Sequence, residues 1–235
     1  MPQLLFQTDP TPDAASLALH AAFPARAGHY DELRMPAQAG GAPTLRCAWA
    51  RFFELLGSDG FAELDRRAGA VARQVQENGI TYNVYTDADG PSRPWSLDLL
   101  PFIIDAADWQ RIERGLAQRA RLLNEVLADI YGGTQSLLTE GLLPPALVQG
   151  HPGYLRPLRG HIPPGGVYLH IAAFDLARDH DGNWSVVSQR TQAPSGLGYL
   201  LENRLTISGL FPEAYKELRV QHLAASYRRL IDMLH

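Results

Sequence analysis

The sequence predicts an α+β fold (mixed α/β) in which helices pack with short sheet hairpins, and three observations lead there. Apolar residues recur at helical spacing through one long stretch, Trp109 to Tyr131. Two other segments switch to strand chemistry around a turn. One is ITYNVYT with DADG; the other is VYLHIAAFDLARD with HDGN, followed by WSVVSQRT. The composition, 46% hydrophobic and 20% charged, is that of a chain that buries a core.

Taken in order, residues 1–44 are rich in Pro, Ala and Gly and read as an N-terminal arm. It is expected to carry a brief helix near Ala14–Ala22 and a loop with HYDELR. Residues 45–235 are expected to form one domain. Leu45 to Asn78 reads as helical, because apolar residues in WARFFELL and FAELDRRAGAVARQVQENG keep helical spacing. Gly57 and Gly60 interrupt it and Asn78-Gly79 stops it. Cys47, the one cysteine, lies in this apolar context and is expected to be a buried core thiol. A lone cysteine excludes an internal disulfide and a multi-thiolate zinc site.

ITYNVYT is expected to be a strand that returns through RPWSLDLLP. Asp105 to Asp108 marks a helix start, and the helix runs to Tyr131 with Ile112, Leu116, Leu122, Leu123, Val126, Leu127 and Ile130 on one stripe. Gly132-Gly133 ends it. A short helix is expected at Thr134–Glu140, then a proline- and glycine-punctuated loop from Pro144 to Gly166. The hairpin follows, and a final helix is expected from Glu213 to Leu234.

The formal charge of −4 gives no electrostatic footprint for nucleic acid. No basic, apolar leader opens the sequence and no apolar run is long enough to span a membrane, so a cytoplasmic protein is expected. His151, His161 and His170 lack metal-ligand spacing and read as loop or core residues.

The chemistry concentrates between His170 and Arg204. Asp175 sits beside the apolar IAAF, where a carboxylate needs a partner: Arg178 or Arg190, backbone donors, or a metal. Asp179 and Asp181 read as solvated turn residues. Ser188 to Gln192 is a polar run leading into Pro194-Ser195-Gly196-Leu197-Gly198, a glycine-rich loop whose backbone could closely approach a ligand or simply reverse the chain. Glu202 and Arg204 would not share a helix face, so they need separate partners. Arg190, Arg204 and the loop amides suit phosphate, since arginine forks match phosphate oxygens.

These residues carry a resemblance. YDEL, NGITYNVY, RPWSLDLLPFII with DWQRIERGLAQRARLLNEVLADIYGG, and FDLARDHDGNWSVVSQRTQAPSGLGYLLENR resemble the N-terminal part of the circularly permuted ATP-grasp fold. That family is related to carboxylate–amine ligases such as glutathionylspermidine synthetase. The resemblance implies the N-terminal module of an ATP-dependent carboxylate–amine ligase of the peptide type, acting through an acyl phosphate. It implies ATP and Mg2+ as cofactors, with carboxylate and amine substrates that are small molecules or peptides. By the family pattern Asp175 and Glu202 would be metal ligands. Ser195, Gly196, Gly198 and Asn203 would bind the cofactor, and Arg190 and Arg204 would be catalytic. Where many relatives place acidic and amide metal ligands, this sequence has Ser188, Gln189 and Arg190, which suits either direct phosphate binding or an inactive site. The resemblance also implies a C-terminal ATP-grasp half as partner, and the 235 residues alone are expected not to turn over. The alternative is a non-catalytic binding or regulatory module derived from a degenerate ligase.

Overall fold

The computed structural model describes residues 18–19, 22–37, 41–79, 81–82 and 93–234. Most of the helix expected at 14–22 and the turn DADG lie outside them. Among the described residues, helices alternate with three two-stranded antiparallel sheets, an α+β architecture. The chain divides into two compact units, residues 1–103 with 196–235, and residues 104–195. No helix among the described residues is long and apolar enough to cross a membrane.

The first unit is built on aromatics. WARFFELL places Trp49, Phe52, Phe53 and Leu56 on one face of the helix Cys47–Ala62, where Phe52 and Phe53 are buried. Phe52 meets the ring of Phe211 edge-on at 5.4 Å, and Trp49 stacks on Phe53 at 5.6 Å. Leu45, Ala18 and Ala214 complete the buried cluster. Gly57 interrupts this helix at φ 70°, a conformation that favours glycine. Gly60 does not interrupt it: a Cβ there would lie 2.4 Å from the Leu56 side chain, so it is a packing glycine. Cys47 is exposed rather than buried, because it opens the helix on the side away from the Trp49–Phe53 face.

The helix Leu64–Glu77 follows, with Asn78 as its C-terminal cap residue. The expected ITYNVYT hairpin is present as Thr81–Tyr82 paired antiparallel with Arg93–Pro94. HYDELR forms a tied loop. Burial works to raise the Asp31 pKa, but the backbone N–H groups of Arg34, Ala25 and Leu33 outweigh it and hold the carboxyl below its usual range. Arg34, 8% exposed, donates to the carbonyls of Leu19, Ala22 and Phe23. The single C-terminal helix expected at 213–234 is two, Pro212–Glu217 and Ala224–Leu234. Arg219 turns left-handed at φ 51° and the Val220 N–H donates back to the Tyr215 carbonyl, closing the first helix without a glycine to announce it.

In the second unit the helix runs from Ala106 to Tyr131, and the Asp105 carboxylate caps it by accepting from the Asp108 N–H at 2.8 Å. Ile112 and Ile130 are buried as the stripe requires, whereas Leu122 is 63% exposed and lies off it. The 134–140 helix shortens to Ser136–Thr139, because Asp129 takes its first N–H groups, those of Ser136 and Leu137. The proline-rich loop holds a short helix, Pro145–Gln149, and two tight turns, Arg156–Leu158 and Pro164–Gly166. Asn124 pins its end: the side-chain oxygen accepts from Tyr168 and Leu169 N–H, and the nitrogen donates to the Gly166 carbonyl. Residues 167–172 are consequently not strand, and the first hairpin strand begins at Ala173.

Candidate functional site

The hairpin pairs Ala173–Arg178 with Trp184–Arg190. Its turn closes on Asp179, which accepts from the backbone of Asp181 and Asn183, so HDGN does what its composition predicts. Register decides what shares a face. Asp175 stands opposite Ser188 and Ala173 opposite Arg190, but Leu176 stands opposite Val186. Val187 is therefore an extra residue, a bulge, and it lies 62% exposed. Strand neighbours alternate faces, so Asp175, Ser188 and Arg190 project on one side and Phe174 and Gln189 on the other.

On that side the three polar groups meet. Arg190 donates from both terminal nitrogens to both Asp175 oxygens, each at 2.9 Å. The Ser188 hydroxyl donates to Oδ2 of the same carboxylate. The Ser188 hydroxyl and then the Arg190 guanidinium hold the Asp175 pKa below the usual carboxylate range, against the opposing effect of desolvation. The pair is open to solvent, with 59% of the arginine side chain and 44% of the aspartate side chain exposed. Of the two arginines considered as partners for Asp175, Arg190 is the one engaged. Arg178 lies on the opposite face of the strand.

After Arg190 the chain passes through Ala193, left-handed at φ 43°, and Ser195 into Gly196 at φ 114°. A left-handed Gly196 starts the helix Leu197–Leu210, and no side chain caps its first N–H groups. Gly198 has nothing within 4 Å of where a Cβ would stand. Ser195 belongs to the second compact unit; Gly196, Gly198, Glu202, Asn203 and Arg204 belong to the first. Within that first unit, Glu202 accepts from the Asn78 side-chain amide at 2.8 Å. Asn203 accepts from the Trp95 indole N–H at 3.0 Å, while the Trp95 ring stacks on Tyr199 at 4.7 Å. Tyr199 and Asn203, one helical turn apart, thus share one indole. Arg204 is half-buried and makes no ion pair among the described residues.

Mg2+ favours several oxygen ligands in octahedral array. Both Asp175 oxygens already face a guanidinium, Glu202 is held by Asn78, and no group of three or more His, Cys, Asp or Glu among the described residues could hold a metal. Asp175 and Glu202 belong to different units, and each carboxylate is already engaged within its own.

Sequence reasoning missed the ion pair beneath the hairpin. Asp108, 3% exposed, pairs with Arg178 and Arg111, and the Arg178 guanidinium lies 4.7 Å over the Trp184 ring. The partners are far apart in sequence, and Asp108 reads locally as one more helix-start carboxylate. His151 accepts at Nδ1 from the Gly153 N–H, a loop role that fits its reading as a loop histidine.

The chain is similar to a family of known proteins. It matches the family described as circularly permuted ATP-grasp type 2 over residues 101–235. It is 41% identical to the uncharacterized protein Rv2567 of Mycobacterium tuberculosis over 182 residues, 74% of this chain and 20% of that protein. It is also 41% identical to the uncharacterized protein ML0605 of Mycobacterium leprae, across 72% of this chain and 29% of the relative. For the uncharacterized protein sll0335 of Synechocystis the identity is 38%, across 66% of this chain and 32% of the relative. The chain belongs to the circularly permuted ATP-grasp family. It spans 20% to 32% of the length of these relatives.

Proposed function

We propose that this chain is the N-terminal module of an ATP-dependent carboxylate–amine ligase, of the peptide type, acting through an acyl phosphate. In that reaction a carboxylate oxygen takes the γ-phosphoryl group of ATP and ADP departs. An amine then attacks the acyl carbon, and phosphate leaves with the bond electrons as the amide forms. The supporting observation is the run from the strand Trp184–Arg190 through a glycine-rich loop to a left-handed Gly196 and an uncapped helix start, in a chain of the permuted ATP-grasp family. In this reading the family pattern assigns cofactor contact to Ser195, Gly196, Gly198 and Asn203, and catalytic roles to Arg190 and Arg204. ATP is the cofactor. Asp175 and Glu202 are the carboxylates that the family pattern assigns to Mg2+. The substrates are a small-molecule or peptide carboxylate and an amine, and a C-terminal ATP-grasp half is the partner that completes the site.

A second reading, a non-catalytic binding or regulatory module, is favoured by one observation: Asp175 is already neutralised by Arg190. Thermal unfolding with added Mg·ATP separates the two. Nucleotide at 100-fold its dissociation constant adds about 2.7 kcal/mol to the stability of the folded chain. The ligase reading expects such a rise. An unchanged midpoint at millimolar Mg·ATP turns the balance to the non-catalytic module.

A further inference from the structure

The Asp175–Arg190 pair has the form of a binding site already filled from within. A guanidinium presents two parallel N–H groups, the arrangement that recognises two oxygens of a carboxylate or phosphate. Here both are taken by Asp175 at 2.9 Å, and the Ser188 hydroxyl donates to the same carboxylate. Three donors from one strand therefore converge on one acceptor. They do so because the Val187 bulge brings Ser188 and Arg190 to the face of Asp175. The pair stands in solvent, where an ion pair is worth little and exchanges readily for another.

We propose that Arg190, assisted by Ser188, is an oxyanion-binding group whose ligand place is held by Asp175. A substrate phosphate or carboxylate takes that place by displacing the Asp175 carboxylate from the fork. Asp175 then acts as an internal competitor that weakens casual anion binding, in contrast to a metal ligand, which would strengthen binding of a metal-bound phosphate. The inference rests on the ligase reading for the site's location but not for its test, which needs neither nucleotide nor metal.

The experiment is calorimetric titration of the full chain in metal-free buffer with EDTA, using inorganic tripolyphosphate and, separately, succinate. Removing a competing exposed ion pair predicts that Asp175→Ala binds the preferred probe about two- to fivefold tighter than the unmodified chain. Arg190→Gln and the double variant bind at least about tenfold more weakly than Asp175→Ala. Which probe responds tells phosphate from carboxylate. Unfolding midpoints of each variant confirm that the chain is folded, as expected for exposed side chains. Unchanged or weaker binding in Asp175→Ala overturns the proposal, as does full binding by Arg190→Gln or no binding of either probe at millimolar concentration. Tripolyphosphate binding of the predicted pattern with no Mg·ATP stabilisation would defeat the ligase reading alone.

Discussion

Asp108 shows how far a residue's role depends on chain brought from elsewhere. Its carboxylate is buried to 5% exposure and Arg178 to 10%, so each charge depends on the other. Asp108→Ala takes the carboxylate away from the buried Arg178 guanidinium and is expected to cost about 3–5 kcal/mol by urea unfolding. Replacing both, as Asp108→Leu with Arg178→Met, is expected to recover most of that loss. A double variant as unstable as Asp108→Ala would show that the cost comes from packing. The sequence marked the helix start correctly, and Asp105 is its cap, but nothing near Asp108 announces a partner across the hairpin.

At the level of the element, the hairpin was the most legible part of the chain. Alternation in both strands and the HDGN turn were sufficient, since Asp179 and Gly182 supply the local hydrogen bonds and the positive φ that a tight reversal requires. The bulge was not legible. WSVVSQR reads the same with Val187 paired or unpaired, and the difference decides whether Ser188 and Arg190 face Asp175. Deleting Val187 removes the extra residue, so Ser188 follows Val186 directly and still stands opposite Asp175, with Arg190 still opposite Ala173. The Asp175 carboxyl, followed by NMR titration, is therefore expected to stay below the ordinary carboxylate range, because the Ser188 and Arg190 donors are kept. A titration that rises to the ordinary range after the deletion would refute this account of the register. The missed break at Arg219 has a similar origin, a left-handed residue in a position where glycine is the usual marker.

For the whole molecule, the two units differ in what holds them. One has the aromatic cluster of Phe52, Phe53 and Phe211. Among the described residues of the other, the buried apolar side chains are Ile112 and Ile130, and the rest depends on polar ties such as Asn124 and Asp129. Buried apolar contact is the larger source of resistance to local opening, so backbone amides in residues 49–56 are expected to exchange with solvent more slowly than those in 145–166. Mass-spectrometric hydrogen exchange measures this, and equal protection would contradict it. The family was legible because long motifs survive in sequence. The division into units was not, because it rests on ties such as that from Arg67 to the Leu210 carbonyl, which join distant segments.

The Asn78–Glu202 hydrogen bond has one chemical consequence over time. Asn78 precedes Gly79, and an asparagine followed by glycine is the pair most open to cyclisation and loss of its side-chain nitrogen, because no side chain hinders the attacking backbone amide. The product carries a carboxylate where the amide had been. Glu202, which now accepts a proton donor at 2.8 Å, would then face a second negative charge at that distance. An ageing preparation of this protein would thus lose the tie between the end of the helix Leu64–Glu77 and the helix Leu197–Leu210 without any change in its encoded sequence.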